Sequence, residues 1–193
     1  MRNSTLLVLL IVTTGCTSYQ ISTDKHLKAD FSTYKSYAWL PPTDTIKNSA
    51  IDRKKLIKSV FVYSNTQLNA HGMMIDTQNP DLLIRCYTMV QNKNGYKYNS
   101  PIKRGIDFNK RYKKNDFPGM YINVSPEYSA LADHSVEYEE GTLLIETIDL
   151  QTRKIIWSGK SGNALAKTRK LDERLQKAIE KIFKHFPAKP RKK

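Results

Sequence analysis

The stretch GTLLIETIDLQTRKIIWSG, residues 141 to 159, decides the fold class. Gly141 to Leu150 is a run rich in Leu and Ile at strand length, Gln151-Thr152-Arg153 supplies a turn, and Lys154 to Gly159 returns as a partner strand. The pair reads as a β-hairpin. Downstream, Leu171, Leu175, Ala178, Ile179, Ile182, Phe183 and Phe186 fall on one apolar stripe with Lys, Glu, Asp and Arg opposite, and Pro187 ends the pattern before a basic tail. A hairpin followed by an amphipathic helix buries its apolar surface by layering one on the other, which predicts an α+β arrangement.

Working back from the hairpin, Leu82, Ile84, Cys86, Thr88 and Val90 alternate along a further strand that follows the turn Asn79-Pro80-Asp81, and Met73 to Ile75 begins another. Before these, Ile57, Val60, Phe61, Ser64 and Leu68 recur at helical spacing, and Gly72 suits the position after the last turn. Ser49 is placed to cap this helix, with Asp52 three residues on completing a capping box. Tyr37 to Leu40, ahead of Pro41-Pro42, and the alternation Tyr19, Ile21, Thr23 read as two more short strands. Residues 91 to 138 are irregular and rich in Asn, Lys, Tyr and Pro, with weak strand patterns at Met120 to Val124 and Ser135 to Tyr138. A connection this long is uncommon without structure of its own, so part of it is expected to add edge strands. The expected fold is α+β, a mostly antiparallel sheet with two amphipathic helices packed on one face, and no repeat or second core.

The N-terminus speaks to location. Arg2 precedes Leu6 to Val12, an unbroken apolar run of signal-peptide length that falls well short of the roughly 20 residues a membrane span needs. Thr13-Thr14-Gly15-Cys16 closes the run and resembles the bacterial lipobox, with Thr13 where Leu is usual. Residues 1–15 are therefore expected to be a lipoprotein signal peptide and Cys16 the lipidation site, several acyl chains making a stable anchor where one is marginal. Residues 16–187 form one domain, with the irregular insert at 91–138, and 188–193 the basic tail. Thr17 is not the Asp that retains lipoproteins in the enterobacterial inner membrane, which points to the outer membrane, facing the periplasm. Cys86 is the other cysteine, so the mature chain forms no internal disulfide, and its place in an apolar alternation marks it as a small core residue.

Four blocks carry a family resemblance: Asp30-Phe31-Ser32-Thr33-Tyr34-Lys35-Ser36-Tyr37-Ala38-Trp39, Asn79-Pro80-Asp81-Leu82-Leu83-Ile84, Glu140-Gly141-Thr142-Leu143-Leu144-Ile145-Glu146, and Asp149 through Thr152 to Trp157-Ser158-Gly159. In order and spacing the chain resembles the bacterial lipoproteins of domain-of-unknown-function family 4136, from about Tyr19 to Pro187, with 91–138 outside the match. The resemblance implies an envelope compartment and a layout similar to the curli-secretion lipoprotein and to an activator lipoprotein of cell-wall synthases. It implies no activity.

The residues themselves offer no catalytic pattern. His26, His71, His134 and His185 are scattered, and Gly159-Lys160-Ser161 has Lys154 where a P-loop needs its first Gly. Glu137, Glu139 and Glu140 alternate along a chain that would split them between faces, so they read as solvated charges. Trp39 and Trp157 read as core. No cofactor or metal is expected.

Charge is more informative: the formal net charge is +14, and from Lys160 to Lys193 twelve bases face three acids. An envelope address removes nucleic acid as a partner and leaves anionic lipid, lipopolysaccharide or an envelope protein, attracted at short range. Interaction is expected at the insert, through Tyr96, Tyr98, Lys103, Arg104, Lys110, Arg111, Tyr112, Lys113 and Lys114, together with the basic C-terminal surface, both held near the lipid. The chain is thus expected to be a non-catalytic binding or scaffold lipoprotein of the envelope. The alternative is an envelope hydrolase whose site is assembled from scattered residues.

Overall fold

The hairpin forms the middle of the sheet. The computed structural model describes residues 20–25, 29–44, 51–89, 96–98, 117, 119–121, 136–138, 141–165 and 169–190. In chain order these make β1 (Gln20–Asp24), β2 (Ser36–Trp39), β3 (Thr43–Asp44), α1 (Arg53–Ala70), β4 (Met74–Ile75) and β5 (Leu82–Met89). There follow β6 (Tyr96–Tyr98), β7 (Val136–Tyr138), β8 (Thr142–Asp149), β9 (Lys154–Gly162) and α2 (Leu171–Phe183). The main sheet has the order β1-β9-β8-β5-β2-β4, with β3 also on β5, and β6 and β7 pair separately. The long ladders β1/β9, β9/β8 and β8/β5 are antiparallel, whereas β2, β3 and β4 join in parallel. The partner strand of the hairpin runs three residues past Gly159, because Lys160, Ser161 and Gly162 pair with β1.

Both helices cover one face. Leu56, Ile57, Val60, Phe61 and Leu68 of α1 and Leu175, Ala178, Ile179, Ile182 and Phe183 of α2 join Leu82, Ile84, Cys86, Leu143, Ile145 and Trp157 in one buried cluster. Alternate residues of the same strands point to the other face, where Leu83 and Ile148 meet Ala38, Leu40 and Tyr121. Burial on both faces explains why every residue of β5 and β8 is buried and why these strands are so apolar. Besides Asp149 at the end of β8, the charged exceptions are Arg85 and Glu146, cross-strand partners at 1% exposure each: Nε and Nη2 of Arg85 donate to Glu146 Oε2 at 3.0 and 2.6 Å.

Helix ends correct two sequence expectations. The cap of α1 is Asp52, whose Oδ1 accepts from Lys55 N at 3.0 Å, so the helix begins at Arg53 and the expected capping by Ser49 does not hold. Gly72, at φ 83°, does take the left-handed position after the last turn. The second helix ends at Phe183, before the expected stop at Pro187. Phe186 still reaches the core from the following turn, edge-on to Trp157 at 5.0 Å and to Phe31 at 5.5 Å.

Register gives the domain two poles. Gln20 pairs with Gly162, and Met89 with Thr142, so these four residues share one pole. Arg174 Nη2 donates to Asn163 O, and Ser59 and Tyr63 both donate to Asp172, which brings the start of α2 and the first half of α1 to that pole. At the other pole, α1 leads into β4 beside Ser36 and Tyr37, and His71 Nδ1 lies 2.6 Å from Ala188 O beyond α2. The helices therefore run side by side in the same direction.

Candidate functional site

The described polar groups fall into two sets. The first is structural, and it accounts for the sequence blocks. Asp30 turns the chain, its Oδ1 accepting from Ser32 N at 3.0 Å and Ser32 Oγ at 2.7 Å, and the Ser32 hydroxyl and amide hold its carboxyl below the usual range. Asp81 Oδ2 accepts from Lys35 N, Ser36 N and Ser36 Oγ at 2.7, 2.9 and 3.1 Å, tying the turn before β5 to the start of β2. Tyr34 donates to Asp149 Oδ2 at 2.8 Å, while Asp149 Oδ1 accepts the amides of Gln151 and Thr152 in the hairpin turn. Burial and this carboxylate push the Tyr34 phenol up to about 12. Each carboxylate is thus occupied as an acceptor, a fixing role rather than that of a free base.

The second set lines a groove of about 670 Å³ at the pole away from Gln20. Its walls include Lys25, Asp30, Phe31 and Lys35 from the segment between β1 and β2, His71 from the end of α1, and Lys189 from the chain beyond α2. Phe31, 5% exposed, anchors the floor in the core, with Tyr34 edge-on at 5.6 Å. Lys25 Nζ sits 5.7 Å from the Phe31 ring centre, and Lys35 Nζ donates to Ser32 O at 2.9 Å. Three lysines thus line the groove with one aspartate whose charge is already shared with Ser32, Lys25 and Lys35 acting on it. The groove attracts anions and offers an aromatic floor for an apolar stem.

Sequence reasoning did not find this groove, since its residues come from three separate segments. Its only trace was the Asp30 to Trp39 block. Of the expected interaction residues, Tyr96 and Tyr98 lie on β6, paired with Tyr138 and Val136 of β7. Lys103, Arg104, Lys110, Arg111, Tyr112, Lys113 and Lys114 lie outside the described residues, as do Cys16, the expected Ser49 cap, Glu139, Glu140, His26 and His134. The basic C-terminal surface is divided between the poles: Arg169 and Lys170, ahead of α2, lie at the pole of Gln20, and Lys189 stands at the opposite one because the chain leaves α2 beside His71. Cys86 is a buried free thiol, and Trp39 and Trp157 are core, at 0% and 1% exposure. Among the described residues no three His, Cys, Asp or Glu gather as a metal site, and no helix is long and apolar enough to cross a membrane.

Comparison with known proteins agrees with the sequence blocks. The family model described as a domain of unknown function, DUF4136, matches residues 21–188. A DUF4136 family protein from Bacteroides thetaiotaomicron has a crystal structure similar to this one, with a TM-score of 0.56 at 12% identity, covering 88% of this chain and 96% of that one. That likeness is one of fold. A PDZ domain protein from Parabacteroides distasonis gives a TM-score of 0.49 at 17% identity over 89% of this chain and 36% of its own. The PelC dodecamer from Paraburkholderia phytofirmans gives 0.47 at 11% identity, over 91% and 100%. No curated protein matches the sequence significantly.

Proposed function

The chain belongs to the DUF4136 family of domains of unknown function, and from that premise we propose that it is a non-catalytic binding or scaffold lipoprotein of the bacterial cell envelope. It is held by acyl chains on Cys16, in the outer membrane and facing the periplasm. The groove at the far pole receives an acidic segment of another envelope protein. The observation that carries this reading is the makeup of the groove: Lys25, Lys35 and Lys189 line it together with an Asp30 already engaged by Ser32, over the Phe31 floor. The carboxylates nearby support binding over acid/base work, because Asp30, Asp81 and Asp149 each accept two or more structural hydrogen bonds. General acid/base catalysis needs a group within reach of substrate and able to change its proton. A groove that opens at the end away from Gln20 also suits a module tethered just upstream of that residue.

The test uses the full chain in intact cells, with a photo-crosslinking residue in place of Thr33 at the groove turn. An acidic protein partner is expected to crosslink, and to be lost when Lys35→Glu and Lys189→Glu are combined. Crosslinks unchanged by the charge reversal would remove the groove from the reading. Separately, Cys16→Ser should abolish fatty-acid labelling and leave the chain as precursor or free of the membrane fraction. A Cys16→Ser chain that still matures and stays with the membrane would place the anchor elsewhere.

A further inference from the structure

At the pole that carries Gln20, the exposed side chains of Lys54, Lys55 and Lys58 on α1 stand beside Arg169 and Lys170 ahead of α2. The acids close by are largely committed. Asp52 caps α1, Asp172 accepts from Ser59 and Tyr63, and Glu173 lies 3.5 Å from Lys170 Nζ. Arg53, Lys54 and Lys55 occupy the first turn of α1, with no acid there, although a helix start already carries positive partial charge. Helix electrostatics disfavours that placement. Lys54 and Lys58 follow one another at i, i+4 spacing along one exposed stripe near the helix start.

Position decides what such a surface meets. Gln20 is four residues beyond Cys16, and a fully extended chain spans at most about 3.6 Å per residue, so this pole lies within roughly 14 Å of a lipid on that cysteine. Over that distance a protein partner would compete with the membrane itself, whose phosphates attract basic side chains that come within about a Debye length, roughly 8 Å. We infer that this pole is a membrane footprint, in which Lys54, Lys55, Lys58, Arg169 and Lys170 rest on anionic phospholipid headgroups of the leaflet holding the anchor. The inference rests on the lipidation proposed above. Its consequence is an orientation: the helices stand with their starts on the membrane, and the Lys25–Lys35–Lys189 groove faces away from it. Phosphate attraction then does more than add affinity, because it fixes a tilt of the domain on the membrane.

The experiment uses the acylated mature chain, its lipid confirmed by mass, in vesicles of phosphatidylcholine alone or mixed with phosphatidylglycerol. A fluorophore is placed at Lys58→Cys or at Lys189→Cys, the native Cys86 being buried and Cys16 blocked, and quenching by neutral acrylamide is measured. On the mixed vesicles, quenching at position 58 should fall several-fold relative to the neutral ones and recover in molar salt, while position 189 stays accessible on both. Adding Lys54→Glu and Lys55→Glu should abolish the shielding at 58. Equal quenching at 58 on both vesicles, shielding at 189 instead, or shielding that survives charge reversal would each overturn the footprint while leaving the lipoprotein reading intact. A mature chain without lipid would overturn both.

Discussion

Trp39 and Asn65 meet in the core, the indole Nε1 donating to the side-chain oxygen of Asn65 at 2.7 Å, and Tyr37 donates its hydroxyl to the same oxygen at 2.9 Å. One amide on α1 thus satisfies two aromatic donors on β2, which lets large amphipathic rings fill the space between sheet and helix. Burial also pushes the Tyr37 phenol well above its ordinary range. Asn65→Leu leaves both donors without that acceptor and should lower unfolding free energy by about 2 to 4 kcal/mol in urea titrations. A loss below about 0.5 kcal/mol would mean water replaces the amide there.

The two tryptophans should answer differently to removal of the indole nitrogen. Trp157 Nε1 has no hydrogen-bond partner among the described residues, so Trp157→Phe sacrifices packing there, whereas Trp39→Phe also breaks the bond to Asn65. The difference is expected at about 1 kcal/mol, with Trp39→Phe the costlier. Full truncation is another matter, and Trp157→Ala and Phe183→Ala should each cost about 3 to 5 kcal/mol.

Gly159 is required by the approach of α2 to β9. A Cβ there would collide with Ile182 Cγ2 and come 2.7 Å from Trp157 Cη2, in a part of the core with no free space. Gly159→Ala should therefore destabilise by about 1 to 3 kcal/mol through overpacking. Ile182→Leu in the same chain, which removes the Cγ2 branch, should recover part of that loss in thermal melts, and additive losses would show that the clash is relieved some other way.

Arg85 and Glu146 form an ion pair buried to 1% on the face opposite the helices, with Arg85 also 5.2 Å from the Tyr87 ring centre. Removing one partner strands a buried charge, so Glu146→Leu alone should cost about 3 to 5 kcal/mol. Arg85→Met with Glu146→Leu should be much closer to the parent. A double variant as unstable as the single one would mean that Arg85 and Glu146 hold other groups in place.

The link between the helices should show in pH dependence. Bonds from Tyr63 and then Ser59 hold the Asp172 carboxyl below its ordinary range, while the same Asp172 contact pushes the Tyr63 phenol up to about 12. A lowered carboxyl contributes stability that is present above its unfolded value, near pH 4, and is lost as pH falls through the folded value. A raised phenol contributes stability that is present below about pH 10 and is lost as pH rises towards 12. Tyr63→Phe should thus narrow the stability difference from the parent at both extremes, and a constant difference across pH would remove the link.

What the sequence determined by itself was everything local. Apolar period places α1, α2, β5 and β8, since helices and strands declare themselves through the spacing of residues that must leave water. The N-terminal pattern predicts lipidation for the same reason, being read as a linear string. Even so, Ser49 was a plausible cap until the fold started α1 at Arg53, because several Ser and Asp residues can satisfy the same amides.

Only the tertiary structure could decide the rest. The parallel pairing of β2 with β5, the shared acceptor Asn65, the Arg85–Glu146 pair and the groove of Lys25, Lys35, His71 and Lys189 all join residues far apart in the chain. No spacing rule records such contacts. Most decisive is the assignment of poles: the direction of two side-by-side helices puts Lys58 and Lys189, both in basic stretches of the chain, at opposite ends. Charge counted along a chain has no direction, and the packing of α1 and α2 on the sheet supplies it.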